Sequence, residues 1–260
     1  MSKGRMPTIF LGHGSPMNAI EENAFHCGWR DVARGIPRPR AVLCISAHWE
    51  AKGFRVTLAE RPETIHDFYG FPPALFEVVY PAPGDPALAR RVADLLREAK
   101  PALDPGRGLD HGAWSVLRAM YPEADVPVVQ LSLDRGRAPR DQFALARGLA
   151  PLREEGFLVL GSGNLVHNLG LLDWNLTAGF DWADRIDAGV KHRIEAGDDE
   201  GMVDWETLGP DARRAIPTLE HYLPLLYVLA VRKPGEKVSF FNEQRTMGSL
   251  SMTCVTVGEQ

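Results

Sequence analysis

The sequence predicts a single α/β domain over residues 1–260, with a central, mostly parallel sheet that is mixed at its edge and carries helices on both faces. Short apolar runs of strand length alternate with longer segments in which apolar residues recur at helical spacing. No internal repeat, low-complexity tract or linker interrupts this alternation. A chain of 260 residues is also long enough to bury a sizeable core.

The composition argues against several classes of partner. The net charge of -5 argues against nucleic acid and anionic membranes, because both bind basic surfaces. No apolar run approaches the roughly 20 residues that a membrane span needs. Residues 1–5 are basic, but the apolar run behind them is too short for a signal peptide, so we expect a cytoplasmic protein.

The three cysteines predict neither a disulfide framework nor a thiolate zinc site, because they are far apart and form no CxxC pair. Cys44 and Cys254 lie in apolar, strand-like runs and are interpreted as small buried hydrophobes. Cys27 has no neighbour that marks it as a nucleophile.

The amino-terminal half alternates strands and helices. The predicted elements are a strand over 8–12, a helix over 19–34, strands over 41–46 and 54–58, a helix over 85–99, and a helix from 112 to 120. Asp85 caps the helix that Pro86 opens, and Pro101 ends it.

The segment 61–84 differs from the rest because its prolines prevent long regular structure. Its prolines and aromatic residues are Pro62, Phe68, Tyr69, Phe71, Pro72, Pro73, Phe76, Tyr80, Pro81 and Pro83. Long ordered loops in compact domains often form walls or lids over a functional site.

The carboxyl-terminal half continues the alternation. Its predicted elements are strands over 126–131 and 157–161, helices over 140–154, 181–195 and 219–231, and closing strands over 238–241 and 250–257. The closing strands are expected to pair antiparallel, and the polar segment 197–214 predicts an exposed excursion. Pro224 fits a helix only in its first turn, which places Glu220 and His221 at the helix start.

Three histidines share one position in this topology. His13, His48 and His167 each lie at or just past the end of an apolar run. In an open α/β sheet the carboxyl ends of the strands line the ligand crevice. Imidazole is a common ligand of first-row metals, so three imidazoles that meet there predict a metal site.

His13 and His48 are the safest predicted ligands. The third is His221 or Glu220, because adjacent helical residues point about 100° apart and only one of them can face the metal. Non-haem Fe(II) enzymes commonly use two histidines and one carboxylate, which leaves positions open for substrate and oxygen. His167 is then either a fourth ligand or a free base beside the metal.

The other histidines have weaker signals. His26 and His192 lie on predicted helices among charged neighbours and are interpreted as surface residues. His66, in the aromatic loop, either contacts substrate or has a structural role. His111 lies between Asp110 and Gly112, at a junction between a loop and a helix.

Two glycine-rich motifs suggest other functions that their details do not support. Gly12–Ser15 resembles the oxyanion loop of an esterase, but the chain has no G-x-S-x-G elbow. Gly161–Asn164 could cradle a phosphate, but it lacks both the Lys-Ser/Thr of a P-loop and the spacing of a dinucleotide fingerprint. We interpret its glycines as a tight turn that aims His167.

Together the motifs resemble those of DOPA-type extradiol ring-cleavage dioxygenases, members of the class III superfamily that includes protocatechuate 4,5-dioxygenase. The motifs that carry the resemblance are Gly12-His13-Gly14-Ser15-Pro16, Ser46-Ala47-His48-Trp49, Thr64-Ile65-His66-Asp67-Phe68, Tyr80-Pro81-Ala82-Pro83-Gly84, Asp110-His111-Gly112, Ser162-Gly163-Asn164-Leu165-Val166-His167-Asn168 and Glu220-His221-Tyr222-Leu223-Pro224. They occur in the family's order and cover nearly the whole chain.

The resemblance implies roles for individual residues. It implies that His13, His48 and His221 hold the metal; Glu220 stays a candidate because more distant members use a carboxylate. His167 would be the active-site acid/base and could also approach the metal. His111 would line the pocket and hydrogen-bond substrate or oxygen.

The expected activity is the opening of a catechol-type, DOPA-like ring by O2 to a semialdehyde. Fe(II) is the expected working metal, and an all-histidine set would also hold Zn(II) in the purified protein. Two alternatives stay open: a zinc-dependent hydrolase of a small molecule, and a non-catalytic, metal-binding protein of the Memo type.

Overall fold

The computed structural model describes residues 5–259. Its strands are β1 (Thr8–Gly12), β2 (Val42–Ala51), β3 (Arg55–Thr57), β4 (Ala102–Asp104), β5 (Val128–Asp134), β6 (Leu158–Gly163), β7 (Val238–Phe241), β8 (Arg245–Thr246), β9 (Leu250–Ser251) and β10 (Cys254–Val257). Its α-helices are α1 (Ala24–Gly35), α2 (Pro73–Phe76), α3 (Pro86–Leu95), α4 (His111–Met120), α5 (Pro139–Ala146), α6 (Pro151–Glu154), α7 (Asp181–Ala196), α8 (Asp199–Val203), α9 (Ala212–Ala215) and α10 (Leu223–Ala230).

Eight strands form the central sheet, in the order β4-β3-β5-β2-β6-β1-β10-β7. The middle strands β5, β2, β6 and β1 are parallel, whereas β10 pairs antiparallel with both β1 and β7. This confirms the predicted α/β class and the antiparallel pairing of the closing strands. On the other side, β3 pairs antiparallel with β5, so the sheet is mixed at both edges.

Helices cover both faces of the sheet. Successive residues of a strand point to opposite faces, and the core accordingly divides into two clusters. Phe10, Leu43 and Val159 face the cluster that contains α3, α5, α7 and α10. Ile9 and Val42 face the cluster that contains α1 and α4.

Several predicted boundaries are wrong. The helix predicted over 19–34 begins at Ala24, where Asn23 caps it, and a 3₁₀ turn precedes it. The helix predicted over 140–154 is interrupted before Pro151, whose ring cannot continue an unbroken helix. The strand predicted over 250–257 is divided between β9 and β10.

The segment predicted as an exposed excursion, 197–214, is folded against the domain. It contains α8 and the start of α9, and Met202, Val203 and Ala212 are buried in the core. Strand β4 was not predicted, because its side chains at Ala102 and Leu103 are exposed and give no buried apolar run.

Cys44 and Cys254 are buried, as predicted, and Cys27 is half-buried. The basic residues 1–4 lie outside the described part of the chain. Among the described residues no helix combines the length and the apolar character needed to cross a membrane.

Candidate active site and metal centre

The predicted site residues gather around one cavity at the carboxyl ends of the central strands. The cavity has a volume of about 860 Å³. Every residue proposed from the sequence as a ligand or catalytic group lines it: His13, His48, His111, His167, Glu220 and His221. The argument that strand ends converge accounts for His13, His48 and His167. His111, Glu220 and His221 reach the cavity from the starts of helices.

The local fold explains how the histidines reach the cavity. His13 follows β1 directly, and its amide donates to the carbonyl oxygen of Gly163 on β6 (3.0 Å). His48 is within β2 rather than beyond its end, because β2 extends to Ala51 after a register shift against β5. That shift separates the residues around His48 from the regular ladder.

His221 precedes α10 instead of opening it, which corrects the predicted helix start, while Pro224 is in the first turn as predicted. The carbonyl oxygen of His221 accepts from the amide of Asn164 (3.0 Å). A side chain at Gly163 would collide with that carbonyl group. Glycine at this position therefore allows the His221 backbone to lie against the end of β6.

Three imidazoles form an almost equilateral triangle. The ring centroids of His13, His48 and His221 are separated by 5.0 Å, 5.0 Å and 5.1 Å. A triangle that includes His111 in place of His221 is uneven, with sides of 5.0 Å, 3.9 Å and 5.9 Å. Equal spacing favours His13, His48 and His221 as a ligand set, although ring nitrogens of His13, His48 and His111 also lie within 4.8 Å of one another.

Hydrogen bonds orient the ring of His13. Its Nδ1 is 2.9 Å from Ser162 Oγ, and that hydroxyl donates its only hydrogen to the carbonyl oxygen of Gly112 (2.6 Å). Ser162 Oγ must then accept from His13 Nδ1. The proton is therefore on Nδ1, and Nε2 presents a lone pair 3.1 Å from His48 Nε2.

Asn164 orients His221 in the same way. The amide nitrogen of Asn164 donates to the carbonyl oxygen of Ser251 (2.7 Å), which turns its Oδ1 toward His221 Nδ1 (3.2 Å). Because Oδ1 can only accept, Nδ1 of His221 carries the proton and Nε2 keeps its lone pair. Partners of this kind are what give a metal-binding histidine its tautomer and orientation.

The three rings are held neutral. Burial lowers the pKa of His13 and of His221 well below the ordinary value, and the nearby histidines lower it further because two adjacent imidazolium ions would repel each other. Burial likewise lowers the pKa of His48 to about 3. Neutral imidazole is the form that binds a metal ion, so the site needs little proton release on binding.

His167 lies four residues beyond β6 and stacks on His221. The two ring centroids are 3.4 Å apart and the planes differ by 8°. The lone pair of an imidazole nitrogen lies in the plane of its ring. Two parallel planes separated by a stacking distance cannot both contain one ion, so this arrangement makes His221 and His167 unsuited to share a metal.

His167 is also neutral at ordinary pH. Burial lowers its pKa to about 4, against a smaller opposing effect of a backbone hydrogen bond. Its amide donates to the carbonyl oxygen of Ala215 (2.9 Å), and it forms a bridge with Leu250. These contacts place the backbone of His167 and leave its ring facing the cavity.

His111 is the first residue of α4 and is held by Asp67. Both its amide nitrogen and its Nδ1 donate to Asp67 Oδ1 at 2.9 Å. Burial raises the pKa of Asp67, but the hydrogen bonds and charge of His111 outweigh burial and lower it to about 2. Asp67 was not selected from the sequence, although it lies inside one of the family-like motifs.

Glu220 lies in the same part of the cavity as His221. Its carboxylate is within 4.8 Å of ring nitrogens of His167 and His221, and neither Glu220 nor His221 belongs to the group formed by His13, His48 and His111. Its Oε1 accepts from Thr218 Oγ1 (2.7 Å). What favours His221 over Glu220 as the third ligand is its equal spacing from His13 and His48 and the acceptor at its Nδ1.

The remaining histidines lie away from the cavity. His66 Nε2 donates to the carbonyl oxygen of Val78 (2.9 Å), which gives it a structural role. His26 Nδ1 donates to the carbonyl oxygen of Asn18 (3.0 Å), and it is half-buried rather than on the surface as predicted. His192 is exposed, as predicted.

Two loops form the apolar wall. Phe68, Tyr69 and Phe71 come from the aromatic loop singled out in the sequence. Leu169 and Trp174 come from the segment after His167, and sequence reasoning missed them. The sequence offered only apolar residues in a segment without helical or strand periodicity. In the structure the side chains of Trp174 and Leu169 are 76% and 59% exposed.

Charged side chains also line the cavity. Glu50, Glu220 and Arg135 lie there, and only Glu220 was a sequence candidate. Burial raises the pKa of Glu50, the charge of Glu220 raises it further, and Arg135 lowers it. Glu50 and Arg135 gave no signal in the sequence, because isolated charges beside strand ends are common on any surface.

A family model described as the catalytic LigB subunit of aromatic ring-opening dioxygenase matches residues 6–254. The chain belongs to the LigB family. This match covers the cavity and the elements that form it, and it confirms the family resemblance drawn from the motifs. The histidine cluster supplies the donors expected of a metal-dependent member of the LigB family.

Relatives of this LigB chain extend over its whole length. It is 44% identical over 265 residues to the 4,5-DOPA dioxygenase extradiol of Escherichia coli K12, covering 99% of this chain and 97% of that protein. It is 36% identical over 251 residues to the protein of the same name from Beta vulgaris, covering 94% and 93%. An uncharacterized Escherichia coli K12 protein of known crystal structure has a TM-score of 0.86 and 39% identity, covering 98% of this chain and 100% of that one.

The protein is an extradiol ring-opening dioxygenase, an enzyme that takes a small-molecule substrate and O2. The names of these relatives favour neither a zinc-dependent hydrolase nor a non-catalytic protein of the Memo type.

Proposed function

We propose that this enzyme opens the ring of a DOPA-like catechol, using Fe(II) held by His13, His48 and His221. The observation that carries the proposal is the equilateral triangle of neutral imidazoles at about 5.0 Å, two of which have Nδ1 engaged by an acceptor. The relatives named for extradiol cleavage of DOPA supply the substrate class.

The donor set fits a first-row divalent ion. Neutral imidazole suits iron and zinc alike, and three ligands leave positions for a substrate and for oxygen. Zinc has no redox chemistry, so Fe(II) is the ion that matches a dioxygenase, and Zn(II) is an inactive substitute. When bound, Fe(II) supplies a Lewis acid that lowers the pKa of catechol hydroxyls and a redox centre for oxygen.

His167 is the proposed acid/base. A general base works best when it is neutral at the operating pH and within reach of the proton that it removes. The burial that keeps His167 neutral, together with its position in the cavity, meets both conditions. Its ring takes a proton from a catechol hydroxyl and returns it when the ring opens. The parallel stack on His221 supports this role over that of a fourth ligand.

His111 is the proposed hydrogen-bonding partner of substrate or oxygen. Since Nδ1 of His111 donates to Asp67, its Nε2 is left to face the cavity. Its ring centroid is 3.9 Å from that of His48, which places Nε2 beside the proposed metal ligands. There it can form a hydrogen bond with a substrate hydroxyl or with oxygen.

The apolar loops exclude water and pack the aromatic ring. Phe68 lies edge-on to His111, with ring centroids 5.6 Å apart, and Phe71 lies edge-on to Phe68 at 5.4 Å. Such edge-to-face contacts stabilise aromatic clusters. They join Phe68 and Phe71 into one apolar wall beside His111.

Metal exchange separates this function from hydrolysis. Metal-free protein is loaded anaerobically with either Fe(II) or Zn(II), mixed with DOPA, protocatechuate or caffeate, and then exposed to oxygen. We expect oxygen uptake and a yellow semialdehyde only with Fe(II). Hydrolysis of small esters or amides by the Zn(II) form, with no oxygen uptake by the Fe(II) form, would overturn the proposal.

A further inference from the structure

Three charged side chains lie where three neighbouring strands reach the cavity. Glu50 is on β2, which lies between β5 and β6. Arg135 follows β5, and its amide donates to the carbonyl oxygen of Ala51 (2.9 Å), which brings it next to Glu50. Glu220 lies beside the end of β6, because the carbonyl oxygen of the next residue accepts from the amide of Asn164.

Glu50 and Arg135 occupy the outer part of the cavity, and Glu220 lies between them and the histidines. Glu50 is two residues beyond His48, about 6.5 Å along an extended strand. Both side chains line the cavity, but Glu50 and Arg135 are exposed whereas His13 and His221 are buried. A catechol with its hydroxyls at the histidines would therefore direct its ring substituent toward the charges.

Two of the charges are free to bind a ligand. Within residues 5–259, neither Glu50 nor Arg135 forms an ion pair within 4.0 Å. The only side-chain hydrogen bond to Glu220 in the same range comes from Thr218. Most other arginines of the described chain are already paired with a carboxylate, so an unpaired guanidinium beside the active site is unusual here.

We propose that Glu50 and Glu220 bind a cationic amino group on the substituent of the catechol, and that Arg135 binds a carboxylate on the same substituent. This assignment rests on the proposed function and deepens it, because it names the residues that select the substrate. The selected class is a catechol that carries an α-amino acid or a simple amine.

The charge balance predicts an order among substrates. The region from Glu220 outward holds two carboxylates and one guanidinium. An ammonium group is therefore attracted by two charges and repelled by one. A carboxylate without an amine meets Arg135 but is repelled by both glutamates. A catechol with an α-amino acid group places an opposite charge beside all three residues, and a catechol with an amine does so beside the two glutamates. A purely acidic catechol is disfavoured.

Binding tests this order without turnover. The Zn(II)-loaded protein is titrated calorimetrically with four catechols. DOPA carries an ammonium group and a carboxylate, and dopamine carries the ammonium group alone. Dihydrocaffeate carries the carboxylate alone, and 4-ethylcatechol carries neither charge. We expect dopamine to bind roughly tenfold more tightly than 4-ethylcatechol, the effect of one charge-assisted hydrogen bond. Dihydrocaffeate is expected to bind no better than 4-ethylcatechol.

Charge-removing variants assign the effect to residues. In Glu50→Gln the ratio of dopamine to 4-ethylcatechol affinity should fall toward one, and Glu220→Gln should act in the same direction. Arg135→Gln should weaken DOPA relative to dopamine. Glu98→Gln and Arg97→Gln remove the same charges from a 3₁₀ turn that does not line the cavity, and they should leave both ratios unchanged.

The outcomes separate this inference from the proposed function. Equal affinity for dopamine and 4-ethylcatechol, or an unchanged ratio in Glu50→Gln, overturns the assignment even if the enzyme cleaves catechols. The expected ratios without oxygen uptake by the Fe(II) form would support the assignment and overturn the proposed Fe(II)-dependent cleavage of a DOPA-like catechol. Should Glu220→Gln lose zinc, Glu50→Gln alone decides the outcome.

Discussion

The imidazole rings of His167 and His221 stack in parallel, with centroids 3.4 Å apart and planes 8° apart. This relationship separates two functions that the sequence could not separate. His221 has Nδ1 engaged by Asn164 and faces His13 and His48, as a ligand would. His167 lies in a second plane, where its ring can take up and release a proton without displacing a ligand.

Replacement of His167 should therefore remove turnover and keep the metal. Gln lacks a titratable nitrogen, so His167→Gln should lower kcat by about 100-fold or more, the usual contribution of a general acid/base. Metal content is measured by atomic absorption and turnover by oxygen uptake. His221→Gln is the matched comparison and should lose both. Loss of metal from His167→Gln would show that His167 is a ligand.

Asn164 should control metal affinity without touching the metal. Asn164→Ala removes the acceptor for His221 Nδ1, so the ring loses its fixed tautomer and orientation. Loss of such a partner typically weakens metal binding by about 10- to 100-fold. Competition with a chromogenic chelator measures the change. Asn175→Ala, in the exposed loop nearby, should bind metal like the parent protein, and equal affinities in the two variants would contradict the prediction.

Asp67 should affect turnover more than metal content. Asp67→Ala removes the acceptor of two hydrogen bonds from His111, including the one that orients its ring. We expect kcat/KM to fall by roughly 10- to 100-fold, with iron content unchanged. Asp67→Asn keeps an acceptor oxygen but not the charge, so its kcat/KM should lie between the values of the parent protein and of Asp67→Ala. Full activity in Asp67→Ala would remove His111 from the proposed reaction.

Acid should destabilise the metal-free protein in a defined pH range. The pKa of His167 is lowered to about 4 and that of His48 to about 3, against an ordinary value of 6.5. Below pH 6.5 the unfolded chain binds protons that the folded protein does not, so the free energy of unfolding falls as pH falls. The free energy of unfolding can fall by at most about 1.4 kcal/mol per pH unit for each such histidine.

Urea denaturation at pH 7 and pH 5 measures this effect. Carboxylates with lowered pKa values, such as Asp67, titrate below this range and do not contribute to it. The midpoint should be lower at pH 5, and His167→Gln should reduce the difference. His192→Gln changes an exposed histidine and should leave the difference intact. Identical midpoints at the two pH values would show that the buried histidines are not held neutral.

Much of this architecture could be predicted from the sequence because short apolar runs mark the strands and show where each strand ends. The apolar runs before His13, His48 and His167 placed all three at one edge of the sheet, and the structure gathers them in one cavity. Because proline is tolerated only in the first turn of a helix, Pro224 likewise located the start of α10 to within a few residues. These inferences depend on local patterns, which a linear sequence displays directly.

The rest depended on contacts between distant segments. The choice between Glu220 and His221 turns on Asn164, which is 57 residues away along the chain and makes its hydrogen bond only in the folded protein. Glu50 reaches the cavity because β2 continues past a register shift that no periodicity reveals. Trp174 lines the cavity from a loop whose apolar residues have no period at all.

The central claim is most directly tested by the stoichiometry of oxygen consumption. Protein loaded with Fe(II) is mixed anaerobically with DOPA, oxygen is admitted, and oxygen uptake is compared with the amount of semialdehyde formed. We predict one O2 consumed for each ring opened, and no reaction in His13→Ala, which lacks one corner of the triangle. Uptake without ring-opened product, or full activity in His13→Ala, would contradict the account.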